Sequence, residues 1–402
     1  MFGTFQHLSF LLHVTQFEGR SIEKLIAPRD PGQITSTLGG AVIEASYVQT
    51  DPPLLAHLAE ARIPWMVDPQ SIRFSSPGFG EIARLRRLPY APASPLDPSR
   101  LTRDVKDMVR GALEFQAQAK PSMYLVPALP LSRPSAAVLR TFAELHSLAA
   151  DLNGTAVPYR PMVAAAYPSA DVIRGRFSTF ERLDRTFAGA YVLPLQLNPK
   201  RDSVERLVAY VRFLEHAQAS ELRVVAGRAG AFGLLLAAFG IENFDSGLGE
   251  RESYSLSRLS HVRRPDPGGK RDGGRQRRVY VLPLRSTLAW NDVEAMLEMR
   301  SLRAQLTCDI DDCRFGGYRY ALENHREHFF HCRAAELDAL RQRRTTALRV
   351  PLVMEWLRTA METGRLVNRV REEQGLPALN FEYLETWRAV LTRVATVVAV
   401  RE

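Results

Sequence analysis

The sequence predicts an α/β protein built as a (β/α)8 barrel of the TIM type, extended by a C-terminal zinc-binding insertion and a helical tail. Three observations carry this. Short β-branched or apolar runs alternate with amphipathic helical stretches through the first 245 residues, the pattern of a parallel sheet covered by helices. Two of those runs end in an acid, WMVD at Asp68 and IENFD at Asp245, and in a parallel barrel the C-terminal strand ends form the mouth where loops build the active site. All three cysteines of the chain fall between residues 308 and 332, among histidines, after the alternating pattern has stopped. A length of 402 residues exceeds what one core usually serves, so an appended region is expected. The expected divisions are 1–260 for the barrel, 261–278 for a basic loop, 279–344 for the metal-binding region and 345–402 for the tail.

Taken in order, residues 1 to about 38 are mixed and carry little pattern; the apolar HLSFLLHV lacks the basic leader and cleavage site of a signal peptide. The strand-like runs are AVIEASYV (41–48), PWMVD, YLVPALPL (124–131), VPYRPMVAAAY, AYVLPLQLNP, LRVVAG and IENFD. Repeat number and length favour a closed barrel over an open sheet. A helix is expected over SAAVLRTFAELHSLAADLNG, with Asn153-Gly154 as its stop signal, and another over SVERLVAYVRFLEHAQ. Ser75 to Lys120 fits the alternation poorly and reads as an insertion. The segment 261–278, HVRRPDPGGKRDGGRQRR, has no apolar periodicity; its plain reading is a solvated linker and its sharper one a cationic arm on phosphate. LAWNDVEAMLEMRSLRAQ predicts one helix with Asn291 as N-cap. From Thr345 two amphipathic helices follow, separated at Gly375-Leu376-Pro377.

The net charge of +9 points toward a polyanionic partner. No apolar run approaches the roughly 20 residues of a membrane span. Three clustered cysteines do not make a secreted disulfide framework, and favour a cytoplasmic protein with thiols or metal ligands. Cys308 and Cys313 stand five positions apart in an acidic turn-like segment, while His325, His328, His331 and Cys332 share one predicted helix. His328 and Cys332 are four apart and lie on one helical face. Thiolates and imidazoles in a turn-plus-helix arrangement suit tetrahedral zinc, and four protein ligands make the site structural. The ligand set is Cys308, Cys313 and His328 with Cys332, His331 and His325 being alternatives for the last place. A polar helix face is the competing reading.

With these residues placed, the chain resembles the tRNA-guanine transglycosylase superfamily over roughly residues 40–341. GIENFDSGLGER resembles the family's nucleophile segment, and WMVDPQSIRF its strand ending in the second catalytic aspartate. LRVVAGRAGAFGLLLAAFG resembles the strand and helix before the nucleophile. Cys308 and Cys313 match the outer two cysteines of the family's three, with Ile310 at the middle one, and HFFHCRAAELDALR resembles its ligand-histidine helix. The resemblance implies a glycosyltransferase (pentosyltransferase) that exchanges a guanine of tRNA or DNA for a modified 7-deazaguanine base. It implies a covalent intermediate on Asp245, proton transfer by Asp68 and a structural Zn2+. Arg228 and Arg251, with the basic loop, are expected to hold flanking phosphates, and Tyr47, Glu44 and Gln196, on or near other inner strands, are the weaker substrate-binding candidates. The family's base-reading aspartate and its Gly-Gly strand have no counterparts here. A second expectation is therefore a non-catalytic nucleic-acid-binding barrel or the partner subunit of such an enzyme; under either reading the expected protein partner is a second copy of the chain, as a homodimer, or a partner subunit.

Overall fold

The computed structural model describes residues 8–15, 18–26, 38–76, 78–130, 162–167, 189–194, 197–219, 223–248, 277–314 and 316–399, with scattered positions between 137 and 151. Gln196, Arg251, the basic segment up to residue 276 and most of the helix expected after Leu131 lie outside the described residues.

Eight strands form one curled sheet: β1 (Ser9–Val14), β2 (Leu38–Glu44), β3 (Trp65–Asp68), β4 (Leu125–Val126), β5 (Met162–Tyr167), β6 (Gly189–Pro194), β7 (Arg223–Ala226) and β8 (Asn243–Ser246). Their order is β3-β2-β1-β8-β7-β6-β5-β4, and every pairing between them is parallel. The two outer strands of that order also meet, since Met66 of β3 bridges Met123 just before β4. Beyond them, the Ser71 hydroxyl donates to the Ala128 carbonyl at 2.8 Å and accepts from its N–H at 2.9 Å.

Period-two alternation divides the residues of β1 to β4 and β6 to β8 between two faces. Leu11, Val42, Met66, Leu125, Tyr191, Leu193 and Val225 form an interior cluster with Ile72 and Ala128. Their neighbours Phe10, Leu12, Ala41, Ile43, Val67, Ala190, Val192 and Phe244 pack outward beneath the helices. Two residues beyond an interior apolar position, the same face turns polar on three strands. Leu11 is followed by His13, Val42 by Glu44 and Met66 by Asp68; on β8 Asn243 is followed by Asp245. At the C-terminal ends of the adjacent strands β3, β2, β1 and β8, the apolar interior face thus gives way to ionisable groups.

Some elements differ from the sequence reading. Ser75 to Lys120 is no insertion: helix α1 (Arg103–Ala119), capped by the Thr102 side chain, is the covering element between β3 and β4. Its Gln116 amide clamps the two-residue β4, accepting from Leu125 N–H and donating to Leu125 C=O, both at 2.9 Å. The strand expected over 41–48 stops at Glu44, and Ala45–Val48 is helical, which carries Tyr47 off the sheet. The helix expected from Asn291 begins at Trp290 after Ala289, and Met299 in extended conformation splits it into α3 (Trp290–Glu298) and α4 (Arg300–Leu306). Between β7 and β8 lies helix α2 (Phe232–Ala238), buried throughout.

After β8 an antiparallel hairpin of β9 (Arg278–Val281) and β10 (Ser286–Ala289) leads to α3, α4 and α5 (His325–Arg341). Then α6 (Thr346–Glu373) and α7 (Tyr383–Ala399) follow, separated at Gly375 as expected. The tail is not detached: Trp387 of α7 meets Phe232 edge-on at 5.5 Å and donates from Nε1 to the Pro199 carbonyl at 2.7 Å. Among the described residues no helix is long and apolar enough to cross a membrane.

Helix α2 reaches β8 through a missing side chain. A Cβ on Gly233 would lie 2.1 Å from the ring of Phe244, the residue before Asp245, and Phe244 is fully buried. Gly233→Ala is therefore expected to destabilise the chain by about 1–3 kcal/mol, despite the better helix propensity of alanine. Urea denaturation measures it; a neutral or stabilised variant contradicts this packing.

Candidate functional site

Asp245 is the centre of these ionisable groups. Its side chain is fully buried, and neighbouring elements supply its hydrogen bonds. His13 of β1 lies with Nδ1 at 2.8 Å from Oδ2. The Tyr191 hydroxyl, from β6 on the other side, donates to the same oxygen at 2.6 Å. Oδ1 accepts the backbone N–H of Arg228, at the turn after β7. That turn, Gly227-Arg228-Ala229-Gly230, wraps the strand end: Ala229 and Gly230 N–H groups donate to the Asp245 carbonyl at 3.0 and 3.4 Å. Such a path requires left-handed backbone at Arg228 (φ +54°) and Gly230 (φ +56°). Burial works to raise the Asp245 pKa, but the His13 hydrogen bond and the charges around it prevail and hold it below the usual carboxylate range. Burial, and then the Asp245 charge, push the Tyr191 phenol well up, so Tyr191 stays a donor.

A second buried ion cluster adjoins the first. Glu44 accepts from Arg73 Nη2 at 2.7 Å and lies 3.7 Å from Arg228 Nη2. Burial opposes its ionisation, yet Arg73 and Arg228 outweigh it and lower the carboxyl from 4.5 to about 2. Asp68 sits beside Glu44 in register on β3. Its Oδ1 accepts the Gln70 N–H at 2.8 Å, and its Oδ2 is 4.0 Å from His13 Nε2. Arg228 Nη2 also contacts that Nε2. Among the three carboxylates, only Asp68 has solvent contact, its side chain being 12% exposed against 0% for Glu44 and Asp245.

The two strand-end acids picked out from sequence therefore converge, on opposite nitrogens of one imidazole. Arg228 belongs to the cluster but is turned inward on His13 and Glu44, only 3% exposed. Tyr47 does not: its ring packs on the backbone of Gly19, where a Cβ would lie 2.1 Å away, because the chain leaves β2 for a helical turn at Ala45. His13, Tyr191, Arg73 and Gln70 were not picked out. The one signal for His13 is an ionisable side chain in the otherwise apolar run SFLLHV.

Outside the sheet, Cys308, Cys313 and His328 hold their ligand atoms within 4.8 Å of one another, all buried, and could hold a metal ion. Cys308 precedes a single helical turn (Asp311–Arg314) that carries Cys313, and α5 presents His328. Cys332, one turn later, places Sγ 3.9 Å from Cys308 Sγ and 3.8 Å from His328 Nδ1. Cys313 Sγ is 3.3 Å from the same Nδ1. Tetrahedral zinc with bonds of about 2.3 Å to sulfur and 2.0–2.1 Å to nitrogen requires ligand separations of about 3.8 Å (S to S) and 3.5 Å (S to N). His328 Nε2 lies 2.8 Å from the Tyr280 carbonyl, an arrangement that fixes the ring and turns Nδ1 to the thiols. His331 approaches one thiol, Cys313, at 3.6 Å, and stacks on Tyr320. Hydrogen bonds from Cys313 and Cys332 pull the Cys308 thiol far down, whereas burial pushes Cys332 up.

Compared with known proteins, the chain matches no family model and no curated protein. Metal analysis of the purified protein is expected to find about one ion per chain, lost in Cys308→Ala, with a lower thermal midpoint after chelation. Protein without bound metal, and indifferent to chelator, contradicts the site.

Proposed function

We propose that the chain is a transglycosylase-type glycosyltransferase acting on a base of tRNA or DNA, built on a closed (β/α)8 barrel with a structural zinc site. One observation carries the reading. Asp245 and Asp68, the two acids that the family resemblance assigns to chemistry, meet across His13 at the C-terminal end of one sheet. The bridge between β3 and the segment entering β4 supports closure. For the fourth zinc position, Cys332 stands 3.9 Å from Cys308 Sγ and 3.8 Å from His328 Nδ1, and His331 stands 3.6 Å from Cys313 Sγ.

Base exchange breaks an N-glycosidic bond while positive charge develops on the sugar. An ionised carboxylate can attack the anomeric carbon and hold the sugar as an ester until a new base displaces it. Asp245 suits that role: a carboxylate has about four lone-pair sites, and three are taken by His13, Tyr191 and Arg228 N–H. One remains on Oδ1. Those same donors keep the group ionised and aimed. Asp68, in contact with solvent, is placed to pass a proton to the departing base and take one from the entering base. A target nucleotide has to leave its stack to reach this depth.

The full burial of Asp245 favours a second reading, a nucleic-acid-binding barrel in which the cluster is only an internal ion network. Incorporation of a labelled 7-deazaguanine base into tRNA or DNA separates the two. Asp245→Asn should lower the rate at least 10³-fold and Asp68→Asn about 10²–10⁴-fold, the range for general acid–base groups. Nucleic-acid binding should survive in both. Undiminished incorporation by Asp245→Asn overturns the proposal, and binding without turnover in the parent protein establishes the second reading.

A further inference from the structure

His13 is in contact with both acids, yet the mechanism above gives it no proton to carry. Its hydrogen-bond partners define its tautomer. Asp245 is ionised and only accepts, so Nδ1 carries the hydrogen of that 2.8 Å contact. A guanidinium only donates, so Nε2, where Arg228 Nη2 arrives, presents its lone pair. The ring is held as the Nδ1–H form, its other nitrogen occupied by a cation.

The Arg228 guanidinium is held incompletely: its Nη2 is shared between His13 and Glu44, the latter 3.7 Å away, and its buried Nε has no hydrogen-bond partner among the described residues. The groups facing the ring are Asp245 from β8, Asp68 from β3, Glu44 from β2 and Arg228 from the β7 turn. Tyr191 reaches it through Asp245, and Arg73 and Arg84 through Glu44. Three carboxylates thus stand against three guanidiniums. When Arg228 is drawn outward, two cations remain against three anions, and a proton on Nε2 restores the lost charge balance.

We propose that Arg228 and a proton compete for Nε2 of His13, so that a phosphate-bearing ligand which draws Arg228 away turns His13 into the proton store serving Asp68. This rests on the glycosyl-transfer reading of Asp68. As Arg228 leaves, Nε2 takes a proton from solvent. In the first half-reaction that proton passes through Asp68 to the nitrogen of the departing base, as the C–N bond breaks and Asp245 bonds to the anomeric carbon. In the second, the N–H proton of the entering base returns by the same path while the Asp245–carbon bond breaks. One proton leaves the store and one refills it.

Histidine-ring ¹H–¹⁵N correlation spectra of the full chain test this, with His13 assigned by the resonances missing in His13→Asn. The ligand-free protein should show His13 as the Nδ1–H tautomer near neutral pH. Arg228→Gln should raise the titration midpoint of that ring by at least one pH unit, and saturating inorganic pyrophosphate should do the same in the parent protein. An Nε2–H ring in the parent, or a midpoint that neither change moves, overturns the proposal. The ring is observed without turnover, so failure here leaves the roles of Asp245 and Asp68 standing. Conversely, a failed incorporation assay with the expected ring titration removes the glycosyl-transfer reading alone. His13→Asn keeps a donor at the Nδ1 place, so a purely positioning histidine predicts retained incorporation; the proposal predicts loss of the histidine limb from the pH–rate profile.

Discussion

A charge that cannot reach water sets the design of this molecule. Burying a carboxylate inside a sheet costs several kcal/mol unless hydrogen bonds and opposite charge replace its hydration. Asp245 obtains both from residues far apart in sequence: His13 on β1, Tyr191 on β6 and the N–H of Arg228 after β7. Each partner is in place only when the curled sheet has formed in register. The cluster therefore specifies the fold as much as it equips it, and removing any one member strands a buried group. Arg228 links this network to the Glu44–Arg73 pair, so the cluster of ionisable groups behaves as one electrostatic unit.

The region of the thiol–imidazole cluster is tied to the same strand from the opposite side. Helix α5 carries His328 and Cys332 in its first turns and, directly after them, Arg333 and Glu336. Arg333 is fully buried, 3.0 Å from Glu336, with its guanidinium over the rings of Phe329, Tyr280 and Phe244. Phe244 precedes Asp245, and its ring also fills the space left by Gly233. Tyr280, whose carbonyl faces His328, donates through its hydroxyl to Glu336 at 2.6 Å. The thiol–imidazole cluster and the buried acid thus lie on two sides of one packed aromatic layer.

Much of this was legible in the residues. The strand-end acids, the parallel α/β class and the thiol–imidazole cluster follow from alternation and spacing, which local physics enforces. What was not legible has a common cause. A strand buried on both faces reads as a continuous apolar run, so periodicity does not say which residues point inward. His13 was passed over for that reason, since in SFLLHV it looks like one polar residue in a core strand. Tyr47 was placed on an inner strand because β2 gives no sign of stopping at Glu44; tertiary packing turns the chain there. Asn291 as a cap failed similarly, since the hairpin fixes where α3 starts. Tyr191 and Arg73 act through partners more than 20 residues away, beyond any local pattern.

The central proposal is that the buried, triply hydrogen-bonded Asp245 is the nucleophile that bonds to the anomeric carbon of a sugar. Denaturing electrophoresis and peptide mass mapping of the chain incubated with unmodified tRNA or duplex DNA test it most directly. The account predicts a denaturation-resistant protein–nucleic acid adduct mapping to Asp245, absent in Asp245→Asn. An adduct at another residue, or base exchange that continues in Asp245→Asn, contradicts it.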